Sequence, residues 1–564
     1  MEKIQNLLSK DRINIPLIII IGALLFIPFL GKVHLFDWDE ANFAEAAREM
    51  VATGNYMRVT IDYQPFWEKP PLFFWLQALS MKLFGINEFA ARFVNAVCGI
   101  FTLLAVYLLG RRIYDPVFGL LWALSFIGSF LPHLFFKSGI IDPLFNFFIF
   151  FGITFCIIAL QKEKSRYRLA FFLLAGFVTG LGVLTKGPVA FLIVCLVVIV
   201  YWAIIRFRRL LTIADITSFL LSMVIVAFVF YGVETLYHGT WFVKEFTGYQ
   251  IRLLTTGDAG HGRPFYFHFV IILFGCFPAS FFAIRSFISR IETNEQQKIF
   301  NRFMIILFWV VLILFSIVET KTVLYSSLTY YPVTYLAALH MHGLIKGSLP
   351  WKKSLFYPLA LFSGTVALTI TFFPVLMMNI GSLLPLIKDR FAAATLQNPV
   401  PWSAFETIPG ILYAAALAIG LFLLSRKKYG TGLSVFLLST ALCLQTFMIM
   451  FAPKIEQYSQ GGPVAFYKSH SDGTVYVRSL FKSYTDLFYS GKPPSAHPMS
   501  YDRKWLLTGD IDKPVYFVAR ETQVRPSPPF DALKELKREY GFVYFIREAP
   551  RRSRAAHGDG ISGN

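Results

Sequence analysis

Residues 15–50 read "IPLIIIIGALLFIPFLGKVHLFDWDEANFAEAAREM". An apolar run with the composition of a membrane-spanning helix gives way to three carboxylates within four residues: Asp37, Asp39 and Glu40. A carboxylate at the centre of a spanning helix costs about 2.5–3.5 kcal/mol on insertion scales, and less at the interface. Two readings of the acids stand side by side. In one, Asp39 caps a helix over Asn42–Val51 that has an acidic first turn. In the other, a carboxylate faces a water-filled cavity and acts as a base or an orienter.

The rest of the chain supplies the setting. Of its 564 residues, 55% are hydrophobic and 15% are charged, where a soluble protein carries roughly a quarter charged residues. This is the composition of a polytopic membrane protein. The net charge of +19 fits the positive-inside rule and attraction to anionic headgroups. Nucleic acid is excluded as a partner, since the basic residues lie between apolar runs and form no recognition motif. The five cysteines, Cys98, Cys156, Cys195, Cys276 and Cys443, all sit in apolar runs without paired spacing and read as small buried hydrophobes. The first apolar run lacks a small-residue cleavage site and reads as a retained helix.

Thirteen stretches are candidate spans, near 14–32, 90–110, 117–136, 143–161, 168–185, 188–205, 213–236, 265–286, 303–318, 326–344, 354–377, 407–425 and 432–452. Basic clusters fall in alternate loops, among them Lys3/Lys10/Arg12, Arg111/Arg112, Arg206/Arg208/Arg209 and Arg426/Lys427/Lys428. The positive-inside rule puts those loops in the cytoplasm. The external side then receives the loop 33–89, a short loop before Asp142, the turn after Lys186, the loop 237–264, the turn at Lys321 and the C-terminal tail. Transporters usually carry their ionisable residues near the bilayer midplane, whereas this chain gathers them at one interface.

Within loop 33–89, "ANFAEAAREMVATG" and "PPLFFWLQALSMKLFG" read as two interfacial helices ending at Gly54 and Gly85. The expected domains are a transmembrane unit over 1–452, a small soluble α/β unit over 453–549 and a disordered tail over 550–564. In the soluble unit, "PVAFYK", "TVYVRSL", "PVYFVAR" and "GFVYFIRE" read as strands and "DALKELKREY" as an amphipathic helix.

Two further motifs narrow the function. "FWEKPPLFFW" sets Glu68 and Lys69 before a rigid Pro-Pro pair, and "FKSGIIDPLFNFF" sets Asp142 at the external mouth of a helix with Pro143 in its first turn. Together with "DEANFAEAAREMVATGNY" and "GVLTKGP", in this order and on one membrane face, the sequence over residues 10–345 resembles the GT-C glycosyltransferases that use polyprenyl-phosphate sugars. The resemblance is narrower to the bacterial lipid A aminoarabinose transferases and the protein O-mannosyltransferases. It implies a mainly α, polytopic GT-C fold with an external active-site cavity, in which a sugar leaves undecaprenyl phosphate with inversion.

The resemblance also assigns roles. Asp39 and Asp142 match the family's catalytic aspartates, with Glu40 beside the first. Lys69 matches the lysine that contacts the donor phosphate. A divalent cation, zinc or magnesium, is associated in the aminoarabinose enzymes with the position of Glu68 and a histidine of the later external loop, where this chain offers His261 and His268. Two such ligands fall short of the four of a structural zinc site. Leu324 stands where the family often has a histidine, while Tyr325 remains.

The physical chemistry is compatible with these roles. Lys69 supplies a point charge to a departing phosphate, and Arg252 or Arg263 can add a planar bidentate contact. Lys186 and Lys321 sit at helix ends, where they either snorkel or reach the same phosphate. Asp39 can accept a proton from a hydroxyl acceptor, or can orient an acceptor that is already anionic. The favoured acceptor is a lipid A phosphate, and the alternative is Ser/Thr of a translocated protein. A flippase for the lipid-linked sugar needs the same cations but no base, and a lipid-binding scaffold with a periplasmic docking domain needs no Asp39. The expected location is the bacterial inner membrane, with the active site and the C-terminal unit facing the periplasm.

Overall fold

The computed structural model describes residues 11–162, 166–208, 210–257, 262–288, 294–525 and 527–550. His261, the tail from 551 onward and the basic residues Lys3, Lys10, Lys164, Arg209 and Arg290 lie outside the described residues.

All thirteen apolar stretches contain helix, but of unequal length. Among the described residues, seven helices are long and apolar enough to cross a bilayer, and the count reaches nine if each of two bent pairs is one span. The bends are 48° between Ile213–Phe228 and Tyr231–His238, and 116° between Phe267–Gly275 and Ala279–Phe287. The remaining apolar helices, such as Arg12–Phe26 and Val189–Ile204, are shorter. At 1.5 Å per residue, Glu88–Ile113 is about 39 Å long and exceeds the hydrocarbon core. Arg111 and Arg112 fall in its last turn, as the charge pattern required.

The loop 33–89 folds as two helices. Asp39–Thr53 stops at Gly54, which takes a left-handed φ of 71° and donates its N–H to the Met50 carbonyl. Leu72–Phe84 follows the Pro-Pro pair and stops at Gly85. Trp38, not Asp39, holds the N-cap position, and no side chain caps this end. Asp39 is thus the first helical residue, and the capping reading of that acid fails.

Glu40 lies one residue further round. Its carboxylate accepts from Arg92 Nε at 3.0 Å and Nη2 at 2.6 Å, from the Phe36 N–H at 2.9 Å and from the Gly139 N–H at 2.5 Å. Arg92 also donates to the carbonyls of Leu30, Val33 and His34. Both partners are 4% exposed. This pair ties the exit of the first helix, the start of Asp39–Thr53, the helix Glu88–Ile113 and the turn before Asp142 into one node. Glu40, expected in a catalytic role, has both oxygens engaged there. That expectation is corrected: the residue positions its neighbours.

The C-terminal region forms a four-stranded sheet of β3 (Tyr476–Ser479), β4 (Val515–Arg520), β5 (Lys534–Glu539) and β6 (Phe542–Arg547), in the order β3-β4-β6-β5, after a short β1–β2 ribbon at Thr60–Ile61 and Gln64–Pro65. Strands β3 and β4 are parallel, and the other pairs are antiparallel. Two sequence readings are overturned here. "PVAFYK" lies in the helix Gly462–Lys468, where Pro463 occupies the first turn and Val464 and Tyr467 bury one face three residues apart. "DALKELKREY" supplies β5, because Tyr540 and Gly541 both take positive φ, 46° and 81°. That is the backbone of a tight hairpin turn into the apolar β6. Strand β5 is exposed throughout, and its alternating charges protect an open sheet edge.

Side-chain alternation makes the sheet two-faced. Val515, Phe517, Val543 and Phe545 build the unit's own core, whereas Val518, Phe542 and Tyr544 join the core of the membrane unit. Polar contacts fix the docking. Asp62 pairs with Arg478 at 2.9 Å and with Lys492, and the Tyr63 hydroxyl donates to the Lys492 carbonyl at 2.6 Å. The Leu35 N–H donates to the Tyr489 hydroxyl at 2.6 Å, and the Tyr484 N–H donates to Asp37 at 3.0 Å.

Breaking the Glu40–Arg92 pair from one side leaves an uncompensated buried charge, which typically costs about 3–5 kcal/mol. Arg92→Ala is therefore expected to lower the melting temperature of the detergent-purified protein sharply. Arg92→Lys, which keeps the charge but loses the fork, is expected to recover only part of the loss.

Candidate active site

A cavity of about 1290 Å³ opens where these elements meet. Its wall includes Asp39 and Glu40 from the first helix of the external loop, Glu68 and Lys69 from the segment before the Pro-Pro pair, and Asp142 from the head of Asp142–Leu160. Lys186, Arg252, Arg263, Lys321 and Tyr325 complete the set expected from sequence. Residues up to about 290 positions apart therefore meet in one hollow; only His261 lies outside what is described. Among the described residues the wall holds eight cationic side chains against five carboxylates, a balance that suits phosphate.

Local structure explains how each group arrives. Asp142 begins its helix with Pro143 in the first turn, and its carboxylate pairs with Lys186 at 2.5 Å. Lys186 is the last residue of Arg168–Lys186, and its Nζ stands 5.1 Å from the centre of the Tyr325 ring. The following Gly187 takes φ 107°, and a Cβ there would meet the Phe246 ring at 2.4 Å; glycine lets the helix Trp241–Thr255 pack against the site. That helix carries Arg252 and is tied to the turn before Lys321 by Glu319 N–H to Leu254 O and Thr320 N–H to Leu253 O, both 3.3 Å. Lys321 itself is 4% exposed. Asn146 donates to Ser327 at 2.8 Å and anchors the chain just after Tyr325.

The electrostatics of the two central groups run in opposite directions. Burial raises the Asp39 carboxyl above the ordinary carboxylate range; Lys69 and Lys186 oppose the rise, and Asp142 and Glu68 add to it. Burial lowers the Lys69 ammonium; Glu68, Asp39 and Asp142 resist that change, and Lys186 adds to it. The Lys69 Nζ also lies 4.9 Å from the centre of the Tyr249 ring. An incomplete charge balance of this kind is what an ionic substrate can restore.

Of the two expected metal ligands, His261 lies outside the described residues. Glu68 reaches the cavity, but no cluster of three His, Cys, Asp or Glu occurs among the described residues, and a zinc site takes at least three protein ligands. His268 is fully buried with its Nδ1 3.1 Å from Ser326 Oγ. The described residues do not fit a zinc centre, and no step below runs through one.

Sequence reasoning missed three wall residues. Lys137, in the short loop before Asp142, donates to the carbonyls of Leu25 at 3.0 Å and Pro28 at 2.9 Å; its isolated charge in an apolar setting was the available signal. Lys482 and Tyr484 come from the C-terminal unit, and their approach depends on docking that no local pattern announces.

Comparison with known proteins agrees with this geometry. Residues 68–233 match the family described as dolichyl-phosphate-mannose-protein mannosyltransferase. The chain is 24% identical over 380 residues to the undecaprenyl phosphate-alpha-4-amino-4-deoxy-L-arabinose arabinosyl transferase of Wigglesworthia glossinidia brevipalpis, covering 66% of each chain. It is 30% identical over 271 residues to the same-named protein of Pseudomonas aeruginosa, covering 47% of this chain and 48% of that one. The matched stretches thus span from about half to just under two thirds of those relatives' length. The crystal structure of ArnT from Cupriavidus metallidurans bound to undecaprenyl phosphate superimposes with a TM-score of 0.73 over 95% of this chain and 98% of that one, at 15% identity. Its apo form gives 0.70 at 16% identity over 94% and 97%. From its first membrane helix to its C-terminal sheet, the chain has the GT-C fold of the aminoarabinose transferases.

Proposed function

We propose that the protein is an inverting glycosyltransferase of the bacterial cell membrane that moves a sugar from undecaprenyl phosphate to a phosphate of a lipid A-type glycolipid on the external face. The observation that carries this reading is the meeting of Asp39, Lys69, Asp142 and Lys186 in one cation-rich cavity. The names of the relatives and the bound lipid of the solved neighbour point the same way. The basic clusters at the opposite helix ends support a periplasmic cavity.

The chemistry follows from the charges. Lys69 and Arg252 hold the donor phosphate, where negative charge grows as the sugar departs. A lone pair on the acceptor phosphate oxygen forms the new bond to the anomeric carbon. The old bond to the polyprenyl phosphate oxygen breaks on the opposite face, and its electron pair stays with the leaving phosphate. A phosphomonoester is largely ionised at neutral pH, its second pKa being about 6, so no base is required. Asp39 then serves best as the partner of an ammonium on the sugar: burial disfavours its charge, and a substrate cation relieves that penalty.

The raised Asp39 carboxyl also suits the second reading, transfer to a Ser/Thr hydroxyl, in which it takes the proton. A flippase would need neither Asp39 nor Asp142 beside the phosphate-binding cations. Purified protein given undecaprenyl-phosphate sugar, lipid A and an unfolded peptide decides among the three: the mass of the sugar is expected on lipid A. Gain of that mass by the peptide would favour the second reading, and no transfer at all would favour the flippase.

Lys69→Met is expected to weaken donor binding roughly tenfold to hundredfold, the worth of a charge-assisted hydrogen bond. Asp39→Asn is expected to spare binding of undecaprenyl phosphate, which carries no ammonium, and to lower kcat/KM for the amino-sugar donor roughly tenfold to hundredfold. Isothermal titration with undecaprenyl phosphate and steady-state kinetics separate the two.

The pH profile of kcat/KM should be narrower than that of unperturbed groups. Asp39 must be ionised and its carboxyl is raised, so the acid limb should lie above the ordinary aspartate value of about 3.9. Lys69 must be charged and its ammonium is lowered, so the alkaline limb should lie below the ordinary lysine value of about 10.4.

A further inference from the structure

The mouth of the cavity carries a cation that the donor site does not use. Lys482 is an exposed residue between β3 and the helix Thr485–Ser490, yet it lines the same cavity as Asp39. Its Nζ lies 3.7 Å from the centre of the Trp38 ring, whose other neighbour is Tyr484, with ring centres 5.0 Å apart. The backbone here is pinned, because the Tyr484 N–H donates to Asp37 Oδ1 at 3.0 Å. Trp38 immediately precedes Asp39. The C-terminal unit thus sets a positive charge, held over an aromatic face, one residue away from the central carboxylate.

Three other cations of the wall are already engaged. Arg92 is spent on Glu40, Lys186 on Asp142 and Lys137 on backbone carbonyls. The Lys482 Nζ makes no hydrogen bond or ion pair with a described residue, and it lies against the Trp38 ring. A cation–π contact at an exposed site leaves an ammonium's remaining N–H donors available and contributes only about 0.5–1 kcal/mol. An arriving anion can therefore recruit this group cheaply.

Inversion supplies the second half of the argument. The entering and leaving oxygens must lie on opposite faces of the sugar, so a reaction between two phosphates needs positive charge at two places. Lys69 and Arg252, which hold the donor phosphate in the reading above, serve one. Lys482, brought in by a separate unit at the mouth, is suited to the other. A neutral hydroxyl acceptor would have no use for it.

We propose that Lys482 is the acceptor-side phosphate contact, through which the C-terminal unit selects a phosphate-bearing glycolipid over a hydroxyl acceptor. The proposal rests on the functional reading above. Contact with the acceptor phosphate exists before and after the bond forms, so it acts on binding more than on the chemical step.

The test uses the full-length protein in detergent, undecaprenyl-phosphate aminoarabinose as donor and phosphorylated lipid A as acceptor. Lys482→Met is expected to raise KM for lipid A about tenfold, with kcat, undecaprenyl phosphate affinity and melting temperature unchanged. Lys482→Arg should restore the wild-type KM, and Lys482→Glu should raise it further. An unchanged acceptor KM in Lys482→Met, or a loss of donor affinity instead, would overturn the proposal while leaving the functional reading intact. Wild-type protein that modifies a serine peptide and not lipid A would overturn both.

Discussion

The buried pair between Glu40 and Arg92 is the constraint on which the site depends. Four donors converge on one carboxylate, and the guanidinium in turn gathers three carbonyls from the chain leaving the first helix. Two charges removed from water in this way stabilise a structure only if their geometry is satisfied almost completely. Here it is, and the reward is positional. Gly139, bonded to Glu40, lies three residues before Asp142, and Asp39 lies one residue before Glu40. The pair thus fixes the separation of two acids that are about a hundred positions apart in the chain.

Around that node the cavity draws its charges from two parts of the chain. The membrane unit supplies Lys69, Lys186, Arg252 and Lys321, together with the carboxylates that modulate them. The C-terminal unit supplies Lys482 and Tyr484 at the mouth. A sheet with one face in its own core and the other in that of the membrane unit can hold such a side chain steadily, whereas a tethered independent domain could not.

Much of this was legible in the sequence, because it depended on local chemistry. Gly54 and Gly85 stop helices since only glycine takes those angles readily, and Asp-Pro starts one because proline tolerates the first turn. The spacing of apolar runs and basic loops predicted one gathering of the acids and isolated cations, and they line one cavity. What could not be read was direction. Successive helical residues diverge by about 100°, so Asp39 and Glu40 look alike in the sequence although only Glu40 reaches Arg92. The strand β5 was misread for a related reason: charges at helical spacing also suit an exposed sheet edge, and the Tyr540–Gly541 turn decided the matter. Lys482 was out of reach because its partner, Trp38, lies more than 440 positions away.

The central claim is that groups distant in the chain share one hollow open to the outside and filled by the donor phosphate. Impermeant thiol labelling of intact cells tests it directly, with Asp39→Cys, Lys69→Cys and Asp142→Cys made singly in a background whose five native cysteines are replaced by alanine or serine. The account predicts that all three thiols react with reagent added from outside, and that added undecaprenyl phosphate slows all three together in the purified protein. A thiol that reacts only from the cytoplasmic side, or donor lipid that shields one position and leaves the other two untouched, would contradict it.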